Sequence, residues 1–135
     1  MPYFGSKSLS RLNTCEEALQ VLFKEVVKDF DCSITVGHRG KEAQNKAYRE
    51  GKSTKKWGES KHNFNPSKAV DIIPYPFVKV DWEDRDRFHF FAGYVRAVAD
   101  QLGIKIRWGG NWRNDFNKGF RKNKFDDLVH FELVG

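Results

Sequence analysis

Residues 127–134 read D-L-V-H-F-E-L-V. From Val129 onward apolar and polar side chains alternate. Val129, Phe131 and Leu133 fall on one face of an extended chain, and His130 and Glu132 fall on the other. Such a strand has one side for a core and one side free for polar chemistry, which calls for a sheet covered by helices on its apolar face.

The rest of the chain supplies partner strands and cover. A-V-D-I-I-P-Y (Ala69–Tyr75) is rich in β-formers and ends on Pro74 and Pro76, which cannot donate to a ladder, so it predicts a strand near the core. S-I-T-V-G (Ser33–Gly37) and Ile104–Trp108 read as two more strands. A capping-box pattern, Thr14 with Glu17, precedes Ala18, Leu19, Leu22, Phe23, Val26 and Val27 on one face, predicting a helix of about fifteen residues. Lys41–Glu50 predicts a second helix, stopped by Gly51. Past a cap at Asp81, Phe88, Phe91, Ala92, Val95, Val98, Ala99 and Leu102 keep a helical period up to Gly103. Gly109–Lys124 is a Gly/Asn-rich loop. With no repeat or linker, the expectation is a single α+β domain over residues 1–135, helices packed on a small, mostly antiparallel sheet.

Composition agrees with one folded unit. The chain has 135 residues, twelve of them Phe, and its 31% charged residues are spread along the length, unlike a disordered tail. No stretch approaches the roughly eighteen apolar residues of a membrane span, and Met1–Arg11 lacks the apolar core of a signal peptide, so a cytosolic protein is expected. Cys15 and Cys32 are expected as free, buried thiols, and neither belongs to a C-x-x-C pair. The net charge of +6 fits solubility, or attraction to nucleic acid, an anionic membrane surface or an anionic wall polymer. A nucleic-acid-binding module, the reading from another class, lacks support because no binding motif appears and the basic residues do not gather on one helix.

Among four histidines, His89 sits between Phe88 and Phe90 in the longest helix and is expected to be a packed ring. His38, at the end of a strand, is expected to be a hydrogen-bonded structural ring. His62 lies nine residues before Asp71, an acid flanked by Val70, Ile72 and Ile73. A carboxylate in that setting is protonated, ion-paired or metal-bound, since an unpaired buried charge is costly. With His130 facing away from the apolar side, two histidines and one carboxylate make an accepted catalytic zinc set with a fourth position for water. No G-x-S-x-G motif offers a nucleophilic serine instead.

The elements S-x-H (Ser60–His62), A-V-D (Ala69–Asp71) and H-x-E (His130–Glu132), in this order, resemble the D-alanyl-D-alanine/L-alanyl-D-glutamate metallopeptidases of the hedgehog-like zinc fold. Within that group the chain is most similar to the short phage endolysins that cut the L-alanyl-D-glutamate bond of peptidoglycan. V-G-H-R-G-K-E-A-Q (Val36–Gln44), L-G-I-K-I-R-W-G-G-N-W (Leu102–Trp112) and D-L-V-H-F-E-L-V extend the resemblance over roughly residues 15–134.

The resemblance implies that His62, Asp71 and His130 bind Zn²⁺, that Asp127 is the general base, and that Arg39 polarises the scissile carbonyl. The neighbouring Asp126 is off the family spacing and is expected to be solvated or loop-capping. Ser60, two residues before His62, is expected to hydrogen-bond within the site on the substrate side, and Glu132 to support a ligand from behind. Trp108, Asn111 and Trp112 occupy a loop after a strand that either flanks the substrate or packs as core or rim. The loop between His62 and Asp71 is longer than in many relatives, at Pro66 and Ser67. The implied protein is a monomer acting on bacterial peptidoglycan, without a separate wall-binding domain, held in the host cytoplasm until a holin releases it. The nearest rival is a D-Ala-D-Ala carboxypeptidase or dipeptidase with the same site.

Overall fold

The four extended segments pair as β1 (Cys32–Val36), β2 (Ala69–Pro74), β3 (Ile106–Trp108) and β4 (His130–Leu133), in the order β1-β2-β4-β3 and antiparallel throughout. The computed structural model describes residues 2–121 and 123–135. Met1 of the expected leaderless start and Lys122 of the expected loop lie outside the described residues. Among the described residues four α-helices accompany the sheet: α1 (Ser6–Leu12), α2 (Glu17–Asp29), α3 (Lys41–Arg49) and α4 (Arg85–Leu102).

Register explains the alternation. Val70 stands opposite Phe131, both fully buried, while the next pair along the ladder is Asp71 opposite His130. The apolar pairs join Ile34, Ile72 and Ile106 in a core closed by α2 and α4. Phe131 is the hinge pin of that core, edge-on to Phe23 at 5.6 Å and to Phe91 at 6.1 Å. Burying such a ring contributes roughly 2–3 kcal/mol. The core therefore fixes the two inner strands, and with them the opposite face where Asp71, His130 and Glu132 emerge.

Two helix starts and one strand start differ from the sequence expectation. Thr14 does not cap α2: its hydroxyl donates to Arg11 O at 2.6 Å and accepts from His38 N at 2.8 Å, tying the end of α1 to the segment after β1. The helix starts at Glu17, and α1 itself was not expected, being two turns long. It is held by tertiary contacts, with Leu12 in the core and Ser8 Oγ accepting from Ile34 N. Asp84 rather than Asp81 caps α4, accepting from Arg87 N at 3.2 Å. At the other end Gly103 takes the left-handed conformation, φ 71°, and Ile104 N returns to Ala99 O, so β3 begins later than expected. Cys15 and Cys32 are free and buried, and burial pushes their thiols up to about 11 and about 12.

Candidate active site

Three elements deliver three donors to one point. Asp71 and His130 are cross-strand neighbours on β2 and β4, the inner strands of the sheet. His62 arrives on a single 3-10 turn, Lys61–Asn63, which S-K-H-N builds by itself. Ser60 Oγ accepts from His62 N at 3.2 Å, and Asn63 Oδ1 accepts from Ser60 N at 3.2 Å. His62 Nε2 lies 3.1 Å and His130 Nδ1 3.3 Å from the same Asp71 oxygen, Oδ1. The three donor atoms all lie within 4.8 Å of one another and all three residues are buried.

Their environment fixes which nitrogens face the centre. His62 Nδ1 donates to Gly37 O at 2.8 Å, and His130 Nε2 donates to Glu132 Oε1 at 2.9 Å. In the neutral rings this leaves two lone pairs and a carboxylate aimed at one spot, an arrangement that demands a cation there, a proton or a metal. The donor set fits a metal ion of the zinc type. Burial opposes charge on His130, but the bonds to Asp71 and Glu132 outweigh it and push its pKa up to about 9. Burial likewise opposes charge on Asp71, and the hydrogen bonds from His130 and His62 hold it well below the ordinary carboxylate range. Glu132 is also kept low against its burial, by His130 and by Lys61 at 3.4 Å. Gly37 must be glycine, since a Cβ would stand 2.3 Å from Arg11 O.

Asp127 stands beside this cluster with its Oδ2 3.9 Å from His130 Nδ1 and its side chain 44% exposed. Burial of its inner part and the neighbouring Asp71 charge raise its pKa. Its backbone is locked to Gly109, with Asp127 N donating to Gly109 O at 2.9 Å. That approach tolerates no side chain, because a Cβ on Gly109 would meet Asp127 O at 2.0 Å. Gly109→Ala is therefore expected to displace Asp127 and lower stability by about 1–3 kcal/mol. Thermal melting together with a hydrolysis assay checks this, with activity falling further than the melting shift explains.

Arg39 reaches the other oxygen of Asp71, Nη2 to Oδ2 at 3.7 Å. It is steered by Gln44, a fully buried side chain whose four hydrogen-bonding positions are all used. Gln44 Oε1 accepts from Arg39 Nη1 and Asn63 Nδ2, each at 3.1 Å. Its Nε2 donates to Ser53 Oγ at 3.1 Å and Lys55 O at 2.6 Å. The three donors, Asp127 and Arg39 line one cavity of about 470 Å³.

A model of the phage L-alanyl-D-glutamate peptidase family matches residues 1–134. The chain belongs to that family. The L-alanyl-D-glutamate peptidase of Escherichia phage T5 is 31% identical to it over an alignment of 137 positions, covering 97% of each chain. The crystal structure of the Serratia marcescens L-Ala D-Glu endopeptidase ChiX shares the fold, with a TM-score of 0.75 at 24% identity, over 98% of this chain and 91% of that one.

The remaining residues of this peptidase sort by position. Trp112 lines the cavity, its ring 5.5 Å from that of His130. Trp108 does not: it is buried in the core, stacked on Phe131 at 6.5 Å, with Nε1 donating to Leu128 O. Asn111 is likewise turned inward, bonding Asp115 and Arg121 O within the loop. Ser60 lines the cavity and caps the His62 turn. Asp126 is pinned by Arg85 and by Asn123 Nδ2 at 3.0 Å, a loop anchor rather than a solvated side chain. His38 bonds Phe64 O at 2.9 Å, and His89 packs edge-on to Trp108 at 5.0 Å, both structural as expected. The long loop before Asp71 is stitched back to the start of α2, with Glu16 N donating to Ser67 O and Ser67 N to Thr14 O. Pro66 and Ser67 consequently stay off the cavity wall.

Proposed function

We propose that the chain hydrolyses the L-alanyl-D-glutamate bond of the peptidoglycan stem peptide, using Zn²⁺ held by His62 Nε2, Asp71 and His130 Nδ1. The observation that carries this reading is the convergence of two correctly oriented imidazoles and a carboxylate beside Asp127, in a member of a peptidase family. A zinc ion there would acidify a coordinated water and polarise the scissile carbonyl. Asp127 takes the proton of the attacking water on its carboxylate and passes it to the leaving amine. Its raised pKa brings it closer to neutrality, which suits a group that must both accept and return a proton. Arg39, held by Gln44, donates to the oxygen on which negative charge develops. Glu132 fixes the His130 ring, and Trp112 and Ser60 bound the substrate.

The net charge of +6 favours approach to an anionic wall. Among the described residues no helix is long and apolar enough to cross a membrane. We place the protein, as a monomer, in the host cytoplasm until a holin opens its route to the wall. Digestion of purified peptidoglycan tests the bond: new N-terminal D-glutamate is expected. Released D-alanine without it would assign the same site to a carboxypeptidase.

A further inference from the structure

Of the large apolar side chains exposed among the described residues, two also line the catalytic cavity: Trp82 and Phe125. They are 55% and 56% exposed, and no step of the proposed hydrolysis uses them. Scattered exposed hydrophobics need no explanation, but two exposed aromatics lining the cavity that holds the metal-type donors do.

Trp82 is held rigidly. Its ring stands edge-on to Phe77 at 4.9 Å and nearly parallel to the buried Phe88 at 6.2 Å. The 3-10 turn that carries it, Lys79–Glu83, is pinned through Asp81, which accepts from Val78 N at 2.7 Å and pairs with Arg87 at 3.3 Å. The indole is thus packed on its inner side and open on the rest, a contact surface that loses little conformational entropy on binding.

The substrate chemistry says what would meet it. In peptidoglycan the nitrogen of L-alanine is acylated by the lactyl group of a muramic acid residue. A saccharide therefore lies one residue from the scissile carbonyl, about 3.5 Å of extended chain plus the lactyl linkage. It must leave the cavity across the rim. Pyranose rings present C–H faces that pack on aromatic rings while their hydroxyls stay in water. We propose that Trp82 and Phe125 form a saccharide subsite on the cavity rim, which takes the amino sugar bearing the stem peptide. This subsite presupposes the stem-peptide substrate proposed above.

The test compares two substrates with one scissile bond, a disaccharide-tetrapeptide and the N-acetylated tetrapeptide of the same sequence, on the zinc-loaded full chain. For the wild type, kcat/KM favours the disaccharide-peptide. Trp82→Ala is expected to lower that preference about fivefold, and Trp82→Tyr, which keeps an aromatic face, to retain it within about twofold. A preference that Trp82→Ala leaves unchanged overturns the saccharide subsite alone. A wild type that cleaves neither substrate overturns the peptidase reading, and the subsite with it.

Discussion

Asp127→Asn is expected to reduce kcat on peptidoglycan by about 10²–10⁴-fold, the usual worth of a positioned general base, while the protein keeps its metal. Asparagine has the shape of aspartate but cannot take a proton. Asp127 is not one of the three converging donors; its Oδ2 lies 3.9 Å from His130 Nδ1. Its removal should leave the donor geometry standing, since His130 is held by Asp71 and Glu132. The matched control is Asp126→Asn, which removes a partly exposed pair with Arg85 and should cost less than about tenfold. Turnover and zinc content measured on the same preparations check both. Full activity in Asp127→Asn would remove it from the role of base.

His130→Ala is expected to lose metal and activity together. Loss of residues that merely orient a ligand costs about 10–100-fold in metal affinity, and loss of the ligand itself should exceed that. The fold should survive, because both partners of His130 keep other polar neighbours, each including at least one Lys or Arg cation. Asp71 retains His62 and Arg39, and Glu132 retains Lys61 and Arg107. Neither carboxylate is left as an unpaired buried charge, the situation that makes breaking a buried pair most costly. Elemental analysis after dialysis, with circular dichroism as the check on folding, gives the answer. Stoichiometric zinc in this variant would mean that the ion sits elsewhere.

The sheet and its polar face were legible because β4 carries a period of two, and that period puts Phe131 in the core and His130 opposite Asp71. The long helix was legible for the same kind of reason, from its 3.6-residue period to the left-handed Gly103. What escaped reading acts through tertiary approach. Gln44 looks like an ordinary helix residue until it proves fully buried between Arg39 and the Ser53–Lys55 segment. Gly37 and Gly109 matter because another backbone passes where a Cβ would be, and nothing in their local sequence reveals which backbone. Trp108 and Trp112 were indistinguishable as neighbours after a strand. The pairing of Trp108 with Phe131 on β4 sends it to the core, and the turn that follows brings Trp112 to the cavity. Thr14 matched a capping pattern, but His38 N and Arg11 O claimed its hydroxyl.

The central claim, that His62, Asp71 and His130 hold one zinc ion per chain, is tested most directly by titrating zinc into metal-free protein and following heat and proton release across pH. His130, with its pKa pushed up to about 9, is protonated at neutrality and must lose that proton to ligate. Asp71, held low, is already ionised. One equivalent should therefore bind at pH 7 with release of about one proton from His130, and affinity should fall by about tenfold per pH unit below pH 9 as protons compete. Absence of binding, or binding that His130→Ala leaves intact, would contradict the account.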